Sequence, residues 1–271
     1  IFLNVIVDKI YWSTGQFILG IVSGTVLVAI YALAMQLNTM YIMFSTAISG
    51  VLLPRITMMV ANRASSDDLS ALMIKIGRVQ YVVMALILSG FVLFGQAFIN
   101  LWAGLNYSDA YRIVLLVMIP ITIPLIQNVG IVILQAKNMQ AFRSVVYVAI
   151  AVLNVIASIP LAKMWGGFGC ALATCVSLTI GNIIIMNIYY HRRIGLNIPL
   201  FWKNIAIMSI PVVLSLLCGY GINNFITQNS ILLLGCKIGL YSVIYICLMW
   251  LLGLNRYEKD LFLSPIKRVL N

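Results

Sequence analysis

Asp8 and Lys9 stand side by side within an otherwise apolar stretch at the start of the chain. If that stretch crosses a membrane, both are costly there, and such groups by default face a partner or a water-filled cavity. Neighbours along a helix lie about 100° apart around its axis, so the two cannot neutralise one another face to face. Asn4, Asp8, Tyr11 and Gly15 fall on one stripe, and Lys9, Trp12 and Gln16 on the next. Together they form a polar sector wider than lipid tolerates. Two readings follow. In one, Asp8, Lys9, Trp12 and Gln16 border a hydrated cavity. In the other, Lys9 snorkels to the interface and Asp8 pairs with a neighbouring helix. The cavity is the expectation taken forward.

Uncharged polar residues also sit deep in apolar runs: Gln36, Asn38, Gln127, Asn128, Asn154, Asn182 and Asn187. Such groups more often tie helix to helix than touch a ligand. Gln127, Asn128 and Asn154 are kept as cavity candidates. Lys237 lies between Gly235 and Gly239, a small-residue spacing that allows close helix approach. The signals of an enzyme are absent from the sequence. Asp67 and Asp68 form the only adjacent carboxylate pair, and helix capping explains them. His191 lies in a basic cluster with Arg192 and Arg193. No nucleophile with a base, metal-spaced cluster or phosphate-cradling glycine loop is visible. Cys170, Cys175, Cys218, Cys236 and Cys247 all fall in apolar runs, without metal-ligand or disulfide-framework spacing.

The elements that must position these residues are transmembrane helices. Of 271 residues, 63% are apolar and 8% charged, and the mean hydropathy is +1.07. A soluble chain carries about 25% charged residues, so the solvent here is largely lipid. A hydrocarbon core about 30 Å thick takes roughly 20 apolar residues per helix. Such runs recur at about 2–20, 27–53, 69–102, 110–135, 142–162, 170–190, 202–225 and 231–254, giving an all-α integral membrane protein of about eight transmembrane helices. Pro54 is expected to end the second run, because proline lacks an amide and clashes with the preceding turn. Pro120 and Pro124 predict a kink in the fourth. Residues 165–169 read as a glycine-rich turn, and 256–271 as a short basic tail.

The net charge of +11 would suggest nucleic acid in a soluble protein. Here its distribution says otherwise. Arg55, Arg63, Lys75, Arg78, Lys137, Arg143, Arg192, Arg193, Lys203, Arg256, Lys259, Lys267 and Arg268 fall at alternate helix ends. The opposite ends hold Arg112 and Lys163, with Lys237 some way in. The positive-inside rule places the rich side, and both ends of the chain, in the cytoplasm. The start at Ile1, already apolar, with no basic leader region, reads as the C-terminal portion of a longer protein.

Four stretches carry a family resemblance. The run VAIYALAMQLNTMYIMFSTAISGVLLPRITMMVA, Val28 to Ala61, resembles the eighth helix of polysaccharide-transporter proteins. These include the Wzx-type O-antigen flippases of the multidrug/oligosaccharidyl-lipid/polysaccharide exporter superfamily. DKIYWSTGQFILG, Asp8 to Gly20, is similar to the family's seventh helix, and WGGFGCALAT, Trp165 to Thr174, to its entry into the twelfth. The surroundings of Leu153 and Asn154 agree. Gly15 departs from the pattern, since many members carry a polar or acidic residue there, and this weakens an ion-site role for that turn.

The resemblance implies that residues 1–193 are the second six-helix lobe of a two-lobe exporter fold, and 194–271 two additional helices with a cytoplasmic tail. It implies a transporter rather than an enzyme, in the bacterial inner membrane. The substrate would be an undecaprenyl-pyrophosphate-linked oligosaccharide, an O-antigen or other lipopolysaccharide or surface-glycan unit, flipped by alternating access. Lys9 and Arg78 would supply cations to a hydrated cavity, and Lys237 would border a lipid groove for the isoprenoid tail. The partners are then the lipid-linked oligosaccharide, membrane lipids and the N-terminal half of the same protein, with no nucleic acid. No cofactor is implied beyond a coupling Na+ or H+. The alternatives are a cation-coupled drug or metabolite antiporter of the same superfamily, which favours acidic cavity residues, and a membrane-embedded glycolipid polymerase or acyltransferase.

The charge alternation generates a topology test. With native cysteines removed, cysteines at Asn106 and Asn229 should react with an impermeant thiol reagent from outside intact cells. One at Ala64 should not, and outside labelling there would invert the orientation.

Overall fold

The computed structural model describes the backbone of residues 2–62, 64–225 and 230–270, and the side chains of these except 2–10, 51–53, 55, 225 and 264–270. The described residues are helical nearly throughout, as the composition requires: a backbone in hydrocarbon must satisfy its own polar groups, and a helix does so within one segment. The helices are α1 (Phe2–Val22), α2 (Thr25–Ala61), α3 (Ser66–Trp102), α4 (Ala110–Ile126) and α5 (Asn128–Ala136). A run of 55 residues, Gln140–Ile194, then breaks at Trp165 and Gly166; its arms are α6 (140–164) and α7 (167–194). Last come α8 (Ile198–Phe225), α9 (Ile231–Gly253) and α10 (Arg256–Leu270). Among the described residues five helices are long and apolar enough to cross a membrane, six with the bent pair α4–α5 counted as one crossing; with the broken 55-residue run taken as two arms and α1 added, the helices number about eight, as the multi-pass fold requires.

Side-chain pairings give the packing. α1 runs antiparallel to α7, with Tyr11 Oη donating to the Thr174 carbonyl at 3.1 Å and Cys170 lying against the Gly15 carbonyl. A Cβ at Gly15 would collide with the Tyr31 ring of α2. That tyrosine occupies the space where a polar side chain would otherwise project, which accounts for the departure at this position. α2 and α3 are joined by Tyr41 Oη donating to the Met84 carbonyl, and α2 to α4 by Ser45 Oγ donating to the Leu125 carbonyl. One apolar core, including Leu19, Tyr31, Val117, Ile121 and Cys170, runs through this six-span lobe.

Two breaks shape this part of the chain, and a third that the sequence predicts does not form. The expected kink is present: α4 and α5 meet at Gln127 with a bend of 46°, where Pro124 leaves the Pro120 carbonyl without its amide partner. The expected turn is present too. Gly166 has φ +56°, a left-handed conformation open to glycine, and a Cβ at Gly169 would strike the Leu161 carbonyl of the opposing arm. The third expectation needs correction, because Pro54 does not end α2, which continues to Ala61. Arg55 follows Pro54 directly, and the polar stretch 62–68 begins two turns later. The carbonyl that Pro54 frees, four residues back, therefore lies close to the polar end of the helix. Water can reach it there, and the helix survives.

α8 and α9 form a second layer against the outer face of α3. Ile198, Phe201 and Ile205 of α8 join the first core, and a second cluster contains Phe94, Met208, Val212, Tyr241 and Met249. Hydroxyls join the layers. Tyr241 Oη donates to Ser89 Oγ at 2.6 Å, Tyr245 Oη to the Val82 carbonyl at 2.8 Å, and Tyr81 and Ser209 share a 2.6 Å bond.

The basic tail is helical, and it is clasped. Asn255 and Glu258 cap α10 reciprocally, each side chain taking the other's amide at 2.9 Å. The same Glu258 carboxylate receives Arg78 of α3 in bidentate fashion, from Nε at 2.5 Å and Nη2 at 2.9 Å. Arg78 also donates to the Gly253 carbonyl and to Asn204 Oδ1. Lys75 Nζ lies 3.3 Å from the centroid of the Tyr257 ring.

Both members of the ion pair are buried, and removing one partner of such a pair typically costs about 3–5 kcal/mol because the other charge is stranded. Arg78→Ala and Glu258→Ala should each markedly lower the thermal unfolding midpoint in detergent. The exchanged pair, Arg78→Glu with Glu258→Arg, should recover part of the loss. Unchanged midpoints would mean that α10 is not held by this contact.

Candidate functional site

A partly open cavity of about 230 Å³ is bordered by α1, α2, α4, α5, α6 and α7. Each element delivers its residue for a local reason. Trp12 stands on the polar side of α1, edge-on to Tyr11 with ring centroids 5.4 Å apart. Asn128 reaches the wall because the α4–α5 bend at Gln127 swings the first turn of α5 inward. Its Nδ2 donates to Ser45 Oγ at 2.9 Å, and Ser45 passes the bond on to the Leu125 carbonyl. Asn182 projects from α7 in a stretch of wider, π-type turns over Thr179–Ile185. Such turns are frequent at functional sites.

Arg143 and Tyr147 come from the first turns of α6, one helical turn apart. Arg143 Nη2 donates to Tyr147 Oη at 3.1 Å, and its guanidinium carbon lies 4.6 Å from the centre of that ring. A smaller recess lined by Gln127, Met186 and Tyr190 adjoins the cavity and shares Arg143, Tyr147 and Asn182 with it. The described lining therefore combines one guanidinium, two carboxamides, aromatic faces from Tyr11, Trp12 and Tyr147, and aliphatic walls, with no carboxylate among the described residues. Such a surface suits hydroxyl-rich rings, which stack on aromatic faces and accept and donate with carboxamides, next to an anionic group on the arginine.

The sequence candidates are distributed unevenly around this cavity. Trp12 and Asn128 line it. Asp8 and Lys9 belong to α1, but their side chains lie outside the described residues. Gln16 is half-buried and does not line the cavity. Gln127 is buried in the hinge, where it exchanges two hydrogen bonds with Asn187, at 2.9 and 3.2 Å; Asn187 in turn accepts from Trp202 Nε1 of α8. Asn154 is enclosed between α6 and α7, accepting from Ser158 Oγ at 3.1 Å and Thr174 Oγ1 at 3.4 Å. Arg78 sits on another face of the molecule, in the clasp with Glu258, beside a surface pocket roofed by Tyr257. Lys237 is buried between α8 and α9, its Nζ 3.4 Å from Asn223 Oδ1.

Sequence reasoning passed over Arg143 and Tyr147. Arg143 falls near a helix end, where it reads as one more positive-inside charge. The available signal was the tyrosine four residues on, at the spacing that lets the ring carry the guanidinium on one face of the helix.

No family model matches the chain, and no curated protein matches it by sequence. Among solved structures, the chain is similar to the lipid II flippase MurJ in an inward closed conformation, with a TM-score of 0.72 and 14% sequence identity. The match covers 98% of this chain and 53% of that one, so the chain spans about half the flippase's length. At this identity the likeness is one of fold: the chain is an all-α, multi-pass membrane protein sharing its architecture with part of a flippase.

Proposed function

We propose that the chain is the second lobe and accessory helix pair of a flippase for lipid-linked oligosaccharides. Residues 1–193 form the transport lobe, and residues 194–271 form the appended pair with its amphipathic tail. The observation that carries this reading is the cavity: a guanidinium, carboxamides and aromatic rings gathered in one hollow of a chain with flippase-like architecture. The proposed cargo is a polyprenyl-diphosphate-linked glycan such as an O-antigen unit, moved from the cytoplasmic to the outer leaflet of the bacterial inner membrane. Its sugars would lie against Trp12, Asn128 and Asn182, and its diphosphate near Arg143, with Lys9 as a second cation. Both ends of the chain are cytoplasmic in this scheme.

The isoprenoid tail has to stay in lipid. Supporting this, an apolar hollow of about 320 Å³ opens between α3 and α9, lined by Phe91, Phe94, Phe98, Ile238 and Tyr241 among others. A cation-coupled drug or metabolite antiporter of the same superfamily would favour acidic cavity residues; the guanidinium of Arg143 in the wall supports an anionic cargo instead. Alternating access needs two lobes rocking about a shared path. The drive is proposed to be Na+ or H+.

The test uses the protein with both lobes, in a strain lacking its own flippase, scoring surface glycan and membrane abundance together. Losing a hydrogen bond to a charged group costs about 1.5–3 kcal/mol, so Arg143→Ala and Arg143→Glu should cut export roughly ten- to a hundredfold at normal abundance. Arg143→Lys should keep part of it, and Lys9→Ala should behave like Arg143→Ala. The present chain expressed alone should restore nothing. Wild-type export by Arg143→Ala would remove the cavity from the transport path.

A further inference from the structure

We propose that the cytoplasmic end of the α6–α7 hairpin is a binding site for an anionic phospholipid, distinct from the central cavity and from any transported molecule. A hollow of about 400 Å³ opens there on the outer face of the lobe, lined by Phe142, Ile185, Ile188, Tyr189, Arg192 and Arg193. Its floor is the stacked pair Phe142 and Tyr189, with ring centroids 4.0 Å apart and planes within 8° of parallel. The residues next in sequence, Arg143 and Tyr190, face the other way, into the central recess. The hairpin is therefore a thin wall with the hollow on one side and the cavity on the other.

The chemistry of the hollow divides by height. Its lower part is hydrocarbon: Ile188 is exposed, and on the same outer surface Ile184 and Val145 are exposed as well. This is the face that meets lipid tails. Its upper rim carries the two guanidiniums, both exposed, in the last turns of α7. Neither forms an ion pair among the described residues. They sit at the basic end of the helix, where headgroups lie. Guanidinium forks match phosphate oxygens in geometry as well as charge. Two arginines over an apolar hollow therefore complement a molecule with a phosphate above and acyl chains below. A soluble anion would use the rim but leave the hollow bare. A neutral lipid would fill the hollow but not the rim. Basic pockets between helices on the cytoplasmic side are the general form of such a site.

Occupancy would also be felt inside the lobe, since an acyl chain packed on Phe142 and Tyr189 stiffens the wall that holds Arg143 and Tyr190. The site itself does not depend on the proposed cargo.

The experiment uses the purified chain with phosphatidylglycerol and phosphatidylcholine as probes, counting retained lipids by native mass spectrometry. The wild-type chain should hold at least one phosphatidylglycerol in preference to phosphatidylcholine. R192Q/R193Q should weaken that retention roughly tenfold or more, and R192K/R193K should keep most of it. Phe142→Ser should weaken it with both charges intact, because the acyl contact is lost. R256Q/K259Q, which removes two charges from α10 on the same side of the molecule, should leave it unchanged. Equal losses in R192Q/R193Q and R256Q/K259Q would show a diffuse attraction to the basic face and overturn the proposal. Displacement of the lipid by millimolar inorganic phosphate would show a free-anion site, and would overturn it too.

Discussion

In a hydrocarbon solvent, a polar group that finds no partner inside the protein has none at all. Nearly every polar side chain within the spans of this chain is placed by that constraint. Tyr11 reaches the Thr174 carbonyl, Tyr41 the Met84 carbonyl, Ser45 the Leu125 carbonyl and Tyr245 the Val82 carbonyl. Each contact joins two different helices and ends on a main-chain oxygen: that of Leu125 lies in the last turn of α4, and the others lie inside their helices. A carbonyl has a second lone pair, so it can accept again without breaking the helical ladder. The hydrophobic effect cannot select among helix orientations in lipid, because tails are as apolar as leucine, which leaves close packing and hydrogen bonds to do so. These hydroxyls supply the register, and the two layers, α1–α7 and α8–α9, are each keyed by them.

The same constraint explains why some polar groups are structural and others line a cavity. Asn154 has Ser158 one turn away and Thr174 across the hairpin, so its carboxamide oxygen is consumed. Gln127 and Asn187 consume one another at the hinge. Asn128, next along the chain from Gln127, reaches the cavity wall because the break in α4–α5 turns it there. Two prolines in α4 thus decide the fate of two adjacent carboxamides. One locks the bend, and the other faces the space the bend creates.

Local features were readable in the residues. The Ser65–Asp68 cap depends on a four-residue pattern, and the structure contains the full capping box. The turn at Trp165–Gly166 depends on glycines, and the kink at Gln127 on prolines. The features that escaped are long-range. Arg78 finds Glu258 at a separation of 180 residues, and nothing near Arg78 in sequence distinguishes it from a cation at a cavity rim. The tail reads as basic and polar because the carboxylate that becomes buried, Glu258, is outnumbered by Lys and Arg. Pro54 was misjudged for a related reason. The cost of proline depends on whether water can reach the freed carbonyl, and that depends on depth in the bilayer rather than on the residues alone.

Glu258 carries two duties that converge on one carboxylate. It caps the helix to which it belongs, through Asn255, and it neutralises Arg78 of α3. Arg78 in turn donates to the Gly253 carbonyl at the end of α9 and to Asn204 on α8. A single guanidinium therefore meets α3, α8, α9 and α10 at one point on the basic side of the molecule. The α8–α9 layer is held to α3 by hydroxyls along its length and by this charge at its end. In the proposed alternating access the lobe tilts as a body and α8 and α9 have to travel with it, and a bidentate ion pair shielded from solvent is a strong, directional tie. Arg78 is spent on assembly, whereas Arg143, on the inner wall of the α6–α7 hairpin and bonded to Tyr147, is the described guanidinium that lines the cavity.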